Sequence, residues 1–148
     1  MILFSKCTIF PKGGDMYVES VLETCLYVDD LEEAESFYEC ILGLACIAKE
    51  PGRHIFYRCG EATVLLIIPV ETEIGGDVPA HGARGPGHVA FAIREDEINA
   101  WREHLKCNGV HVEKEVLWPR GGSSLYFRDP AGNSLEVATP QIWDLAFP

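Results

Sequence analysis

The chain has 148 residues, 47% hydrophobic and 24% charged, ordinary globular values that exclude a disordered or collagen-like protein and fit a single domain. Twelve basic against 23 acidic residues leave a formal net charge of −11, so the surface repels phosphate backbones and anionic lipid. Neither nucleic acid nor membrane is therefore expected as a partner, and the longest apolar stretch, Val64–Pro69, is far short of the ~20 residues that span a bilayer.

Residues 1–20 read as an N-terminal extension, since Met16 follows the loop-like Pro11–Asp15 and stands just before the first patterned segment. A β-type segment over Glu23–Val28 then runs into a predicted helix over Asp30–Leu42, with Gly43 as its closing signal. Leu31, Ala34, Phe37, Tyr38, Ile41 and Leu42 form its apolar stripe, and Glu32, Glu33, Glu35 and Glu39 its solvated face. Strands are predicted over Ala45–Lys49, Arg53–Cys59 and Thr63–Ile68, followed by a glycine-rich link over Glu71–Gly87. The second half runs strand His88–Ile93, helix Glu95–Lys106, then strands Val110–Val116, Ser123–Arg128 and Ser134–Thr139, with 141–148 as a tail. Its helix buries Ile98, Trp101 and Leu105. The six cysteines form no C-x-x-C pair and read as reduced thiols of a cytoplasmic protein.

The two halves match each other. Glu23–Val28 aligns with His88–Ile93, Phe56-Tyr57-Arg58 with Tyr126-Phe127-Arg128, and Ala62–Pro69 with Asn133–Pro140. Order is kept while the offset drifts only from 65 to 71 residues, the mark of a duplicated βαβββ module. Module one covers about 21–70 and module two about 86–140, together one α+β domain over 21–140. Its expected architecture is two curled mixed sheets around a shared cavity, with helices on the outer faces.

Strand alternation assigns the faces. Val89, Phe91 and Ile93 face the helix in module two, which leaves His88, Ala90 and Ala92 opposite; Glu136 likewise stands opposite Leu135 and Val137. In the first strand Leu22, Thr24, Leu26 and Val28 form the helix-side set, leaving Glu23, Cys25 and Tyr27 opposite. Glu23, His88 and Glu136 are then expected to converge on the hollow. One imidazole and two carboxylates suit a divalent first-row metal (zinc, nickel, manganese or iron) with positions open to substrate. Without thiolates, a closed structural zinc site is disfavoured. Each residue alone reads as an ordinary strand residue; the repeat relation and the shared face join them. The repeat mate of Glu136 is Leu65.

Three stretches carry a family likeness: Glu23–Leu31 with Ala34, Phe37-Tyr38 and Leu42-Gly-Leu44; Gly85-Pro-Gly-His-Val-Ala-Phe91; and Ser124–Glu136 with its Asp129-Pro-Ala-Gly-Asn133 turn. Together they resemble the vicinal-oxygen-chelate superfamily, also called the glyoxalase/bleomycin-resistance/dioxygenase family, over about residues 20–140. The resemblance implies paired βαβββ modules, Glu23, His88 and Glu136 as metal ligands, and a homodimer. Two positions depart from it: the first ligand, often His or Gln, is Glu23, and the fourth, a Glu in glyoxalase I, falls at or next to Leu65. Fosfomycin-resistance enzymes are similar in having three ligands and a tyrosine ten residues before the last Glu, here Tyr126, with Ser124 also matching.

Tyr126, Ser124 and Arg120 share a parity that the resemblance places toward the cavity. Arg120 reads equally as an anion-binding residue and as a surface salt-bridge partner, and Trp118 as a substrate platform or a loop anchor. His54 reads as structural and His81 as solvent-exposed. The function expected is a small metalloenzyme, a lyase or isomerase acting on an oxygen-chelating small molecule, with Glu136 or Glu23 as base. The alternatives are a metal-free sequestering protein and an Fe(II)-dependent dioxygenase.

Overall fold

The computed structural model describes residues 18–68, 72–76, 79–145 and 147, and for Leu65 and Ile67 the backbone alone. The N-terminal extension through residue 17 lies outside the described residues. Module one comprises β1 (Glu23–Tyr27), α1 (Leu31–Cys40), β2 (Ala45–Glu50), β3 (His54–Cys59) and β4 (Ala62–Ile67). Module two comprises β5 (His88–Ala92), α2 (Ile98–Cys107), β6 (Lys114–Leu117), β7 (Ser123–Arg128) and β8 (Ser134–Ala138).

The duplication holds down to register. Sheet order is β1-β4-β3-β2 in one module and β5-β8-β7-β6 in the other, with the first and last strand of each module parallel. Cys25 pairs with Leu65, which pairs with Phe56; in module two Ala90 pairs with Glu136, which pairs with Tyr126. Leu65 and Glu136 thus hold equivalent backbone positions. A reading of the Leu65 side chain lies outside the described residues.

Local chemistry sets the helix ends. Asp30 caps α1 by accepting from the backbone N–H of Glu32 and of Glu33, each at 2.9 Å, and both glutamates favour the helix N-terminus. Gly43 and Gly109 follow the two helices at φ +66° and +72°, a left-handed turn that glycine makes without strain. Module two enters its helix through a 3-10 turn over Glu95–Glu97, so α2 begins at Ile98 rather than at Glu95. The strand expected from Val110 begins only at Lys114, because Val110 and Val112 pack against the core from a loop.

The helix-side faces of both sheets enter one hydrophobic cluster. Leu26, Ile55, Tyr57 and Leu66 of module one join Leu125, Phe127, Leu135 and Val137 of module two, with Tyr38 and Leu105 from the helices. Leu22, expected in this set, precedes β1 and is 75% exposed because the sheet pairing starts after it. Polar side chains also cross between modules. The Tyr38 hydroxyl donates to Asp129 Oδ2 at 2.9 Å, and Asn133 Nδ2 donates to the Tyr27 carbonyl at 3.1 Å. The sheets are not closed on one another, so the hollow expected between them stays open in the single chain, and Glu23, His88, Ala90 and Ala92 are exposed. Among the described residues no helix is long and apolar enough to cross a membrane, and Cys25, Cys40, Cys46, Cys59 and Cys107 are free thiols.

Candidate metal centre

The pairing of β5 with β8 sets His88 opposite Ser134 and Ala90 opposite Glu136, which makes His88 and Glu136 diagonal neighbours on one face. His88 Nδ1 lies 2.9 Å from the Ser134 carbonyl oxygen. A carbonyl only accepts, so Nδ1 carries the proton of the neutral ring and Nε2 keeps its lone pair. That Nε2 lies 3.5 Å from Glu136 Oε2. Two acceptors so placed are reconciled by a cation or a proton between them. The other carboxylate oxygen, Oε1, is buried with no hydrogen-bond partner among the described residues, and the residue is only 5% exposed. A buried carboxylate oxygen without a donor is costly unless a ligand satisfies it. A nitrogen lone pair 3.5 Å from one oxygen of a carboxylate whose other oxygen is unpartnered among the described residues makes a donor pair that fits a divalent first-row metal.

Tyr126, opposite Glu136 on β7, stacks toward the His88 ring with centroids 6.4 Å apart. Burial and then the Glu136 carboxylate push its hydroxyl above the usual tyrosine range, so it remains a proton donor. Ser124 is buried, and its Oγ accepts from Trp118 Nε1 at 2.8 Å. This bond ties the β6–β7 loop to the site face, so Trp118 is at least a loop anchor. Arg120 is exposed in the same loop with no ion pair among the described residues.

Glu23 does not join this pair within one chain. Among the described residues no group of three or more His, Cys, Asp or Glu side chains is arranged to hold a metal. The physical reason is the packing: the sheets meet through their helix-side faces, so the face bearing Glu23 and the face bearing His88 open to solvent on different sheets. His54 stacks on Phe56 with ring centroids 4.1 Å apart, and burial lowers its pKa, in keeping with a structural role. His81 is exposed, as expected, yet its Nδ1 lies 2.7 Å from the Tyr27 hydroxyl, fastening the inter-module link to the Glu23 face.

Two contributions escaped the sequence reading. The Asp129–Asn133 segment reads as a turn, but its side chains also hold the site strands. Asn133 Oδ1 accepts from the Gly87 N–H at 2.8 Å, next to His88, while Asn133 Nδ2 donates to buried Asp129 Oδ2 at 2.8 Å. Only the asparagine at the turn's end hinted at this. The segment after β8, read as a tail, forms a 3-10 turn over Pro140–Trp143 beside the same face.

Comparison with known proteins agrees with this architecture. The model of the Glyoxalase/Bleomycin resistance protein/Dioxygenase superfamily matches residues 20–137. The crystal structure of a lactoylglutathione lyase from Agrobacterium tumefaciens superposes with a TM-score of 0.84 at 38% identity, covering 88% of this chain and 100% of that one. The metallothiol transferase FosB of Staphylococcus saprophyticus is 29% identical over 129 residues, 86% of this chain and 81% of its own. The lactoylglutathione lyase of Haemophilus influenzae is 28% identical over 125 residues, 78% of this chain and 89% of its own. With a family match running from before β1 into β8 and two βαβββ modules in the expected order, the chain belongs to the glyoxalase/bleomycin resistance protein/dioxygenase superfamily.

Proposed function

We propose that this protein is a metal-dependent lyase or isomerase of glyoxalase type, acting on a small molecule that presents adjacent oxygens. The observation that carries the reading is the His88–Glu136 pair, with Nε2 3.5 Å from Oε2 and Oε1 buried without a donor among the described residues. His88, Glu136 and Glu23 of the partner subunit would hold the ion, in a homodimer whose second copy covers the exposed site face. When bound, the ion polarises a substrate carbonyl and so acidifies the neighbouring C–H.

The remaining work falls to the chain's own groups. Glu136 accepts the proton from that carbon; it is favoured over Glu23 as base because it stands on one face with His88 and Tyr126 of the same chain. Tyr126 keeps its proton and donates to a substrate oxygen as charge develops there. Trp118, held by Ser124, serves as a platform for the substrate, and Arg120, with no ion pair among the described residues, offers its cation to an anionic substrate group. A second reading, thiol transfer as in the metallothiol transferase relative, draws on Leu65 at the register position of Glu136, which leaves three ligands rather than four.

Equilibrium dialysis against Mn(II), Ni(II), Zn(II) and Fe(II), followed by NMR of substrate C–H exchange in D2O with hemithioacetals, tests the reading. One bound ion per chain and metal-dependent exchange are expected. Wild-type protein that takes up no ion would favour a metal-free sequestering protein, and stoichiometric oxygen consumption a dioxygenase.

A further inference from the structure

Beside the His88–Glu136 pair lies an apolar cavity of about 190 Å³. Its floor is Ala90, Ala92 and Ala138, three small residues on the site face; Ala90 is the register partner of Glu136, and Ala138 follows Glu136 by two residues on the same face of β8. Its wall is Ile142, Trp143 and Leu145 from the segment after β8. That wall is built rather than draped. Gln141 Nε2 donates to Glu95 Oε2, the Leu145 N–H to the Pro140 carbonyl, and the Ser123 N–H to Thr139 Oγ1. Asp144 turns the chain back at φ +57°. Gly122, at φ +86°, lets the β6–β7 loop approach closely, since a Cβ there would lie 2.6 Å from Thr139 Oγ1 and 2.8 Å from Ile142.

We propose that this cavity receives an aromatic ring, or a hydrocarbon group of that size, carried by the substrate whose oxygens meet the His88–Glu136 pair. The inference rests on the metal-centre reading above. Three features select the occupant. The volume exceeds the ~150 Å³ that accommodates a benzene ring in an apolar protein cavity. The cavity lining carries no charge and, beyond the Thr139 hydroxyl, no polar side chain, so it favours an apolar substituent over a polar one. The alanine floor begins beside Glu136, so one small molecule can span both sites. A methyl-bearing substrate reaches the carboxylate but leaves the cavity unfilled.

The test compares acetohydroxamate with benzohydroxamate, which share an oxygen-chelating head and differ in a methyl against a phenyl, by calorimetry on Mn(II)-loaded protein. Benzohydroxamate should bind at least about tenfold more tightly to wild type. In Ala92→Leu, which fills the floor, and Trp143→Ala, which removes the wall, that ratio should fall to within about threefold. Both positions are exposed in the chain, so both variants should fold. Equal affinities in wild type, or an undiminished ratio in both variants, overturns the proposal. Failure of both hydroxamates to bind would instead count against the metal centre. The cavity is then judged by titrating toluene against alanine-methyl NMR signals: shifts centred on Ala90, Ala92 and Ala138 support it, and their absence overturns it.

Discussion

The Nδ1 of His88 lies 2.9 Å from the carbonyl oxygen of Ser134, the residue directly across from it on β8. This contact links the orientation of an exposed imidazole to the strand that carries Glu136, and it leaves Nε2 as the free nitrogen. A backbone carbonyl in this position is a common means of holding a ligating histidine ring. His88→Ala should therefore reduce bound metal at least tenfold and abolish turnover. Because the side chain is about half exposed, the thermal midpoint of the metal-free protein should move little. Elemental analysis with parallel calorimetry separates the two effects.

Glu136 should show the opposite balance. Its carboxylate is buried with one oxygen unpartnered among the described residues, an arrangement that weakens the fold unless a ligand completes it. Glu136→Gln keeps the shape and removes the charge, so metal affinity and turnover should fall while the metal-free protein becomes as stable or more stable. Urea unfolding with and without metal checks this. A metal-free variant less stable by more than about 1 kcal/mol would contradict it.

Asn133 bonds through its side chain to Gly87, Tyr27 and Asp129, joining β1, β5 and the turn before β8. Asn133→Ala removes all three bonds, taking a partner from the half-buried Gly87 N–H and Tyr27 carbonyl while Asp129 Oδ2 keeps its bond from Tyr38, at a cost of about 2–4 kcal/mol. Metal affinity should weaken as well, because Gly87 adjoins His88. Denaturant unfolding and metal titration on the same variant read both consequences.

The duplication, and with it the strand order and the register of Glu136 against Leu65, was legible because repeated segments preserve side-chain parity. Parity also placed His88 and Glu136 on one face. It could not place Glu23 relative to them, since that depends on which faces of two separate sheets pack together, a long-range property that alternation along one strand does not encode. Asn133 was legible as a turn residue because turn chemistry is local. Its bonds to Gly87 and Tyr27 cross 46 and 106 residues of sequence and were not. The segment after β8 lacks a repeat mate, which hid its role as a cavity wall.

Tyr38 supplies a pH dependence of stability. Its ring is fully buried, and burial together with the Asp129 carboxylate that accepts its hydrogen bond pushes the hydroxyl far above the ordinary tyrosine range. The unfolded chain loses this proton near pH ~10 while the folded chain keeps it, so this contribution is complete below that pH and is lost as pH rises further. Unfolding free energy should fall by about 1.4 kcal/mol per pH unit above 10 for this residue. Tyr38→Phe, though less stable at pH 7, should show a correspondingly shallower alkaline slope.

The central claim, a metal centre shared between two copies, is tested most directly by mixing two inactive variants. Glu23→Ala lacks one side of every site, and His88→Ala the other. After unfolding and refolding together in equal amounts, half the dimers should pair one of each, and each such dimer holds one intact site. Metal content and turnover should return to about one quarter of wild type. If both stay at the level of the separate variants while mixed dimers form, Glu23 and His88 act within one chain or not together at all, and the shared centre is contradicted.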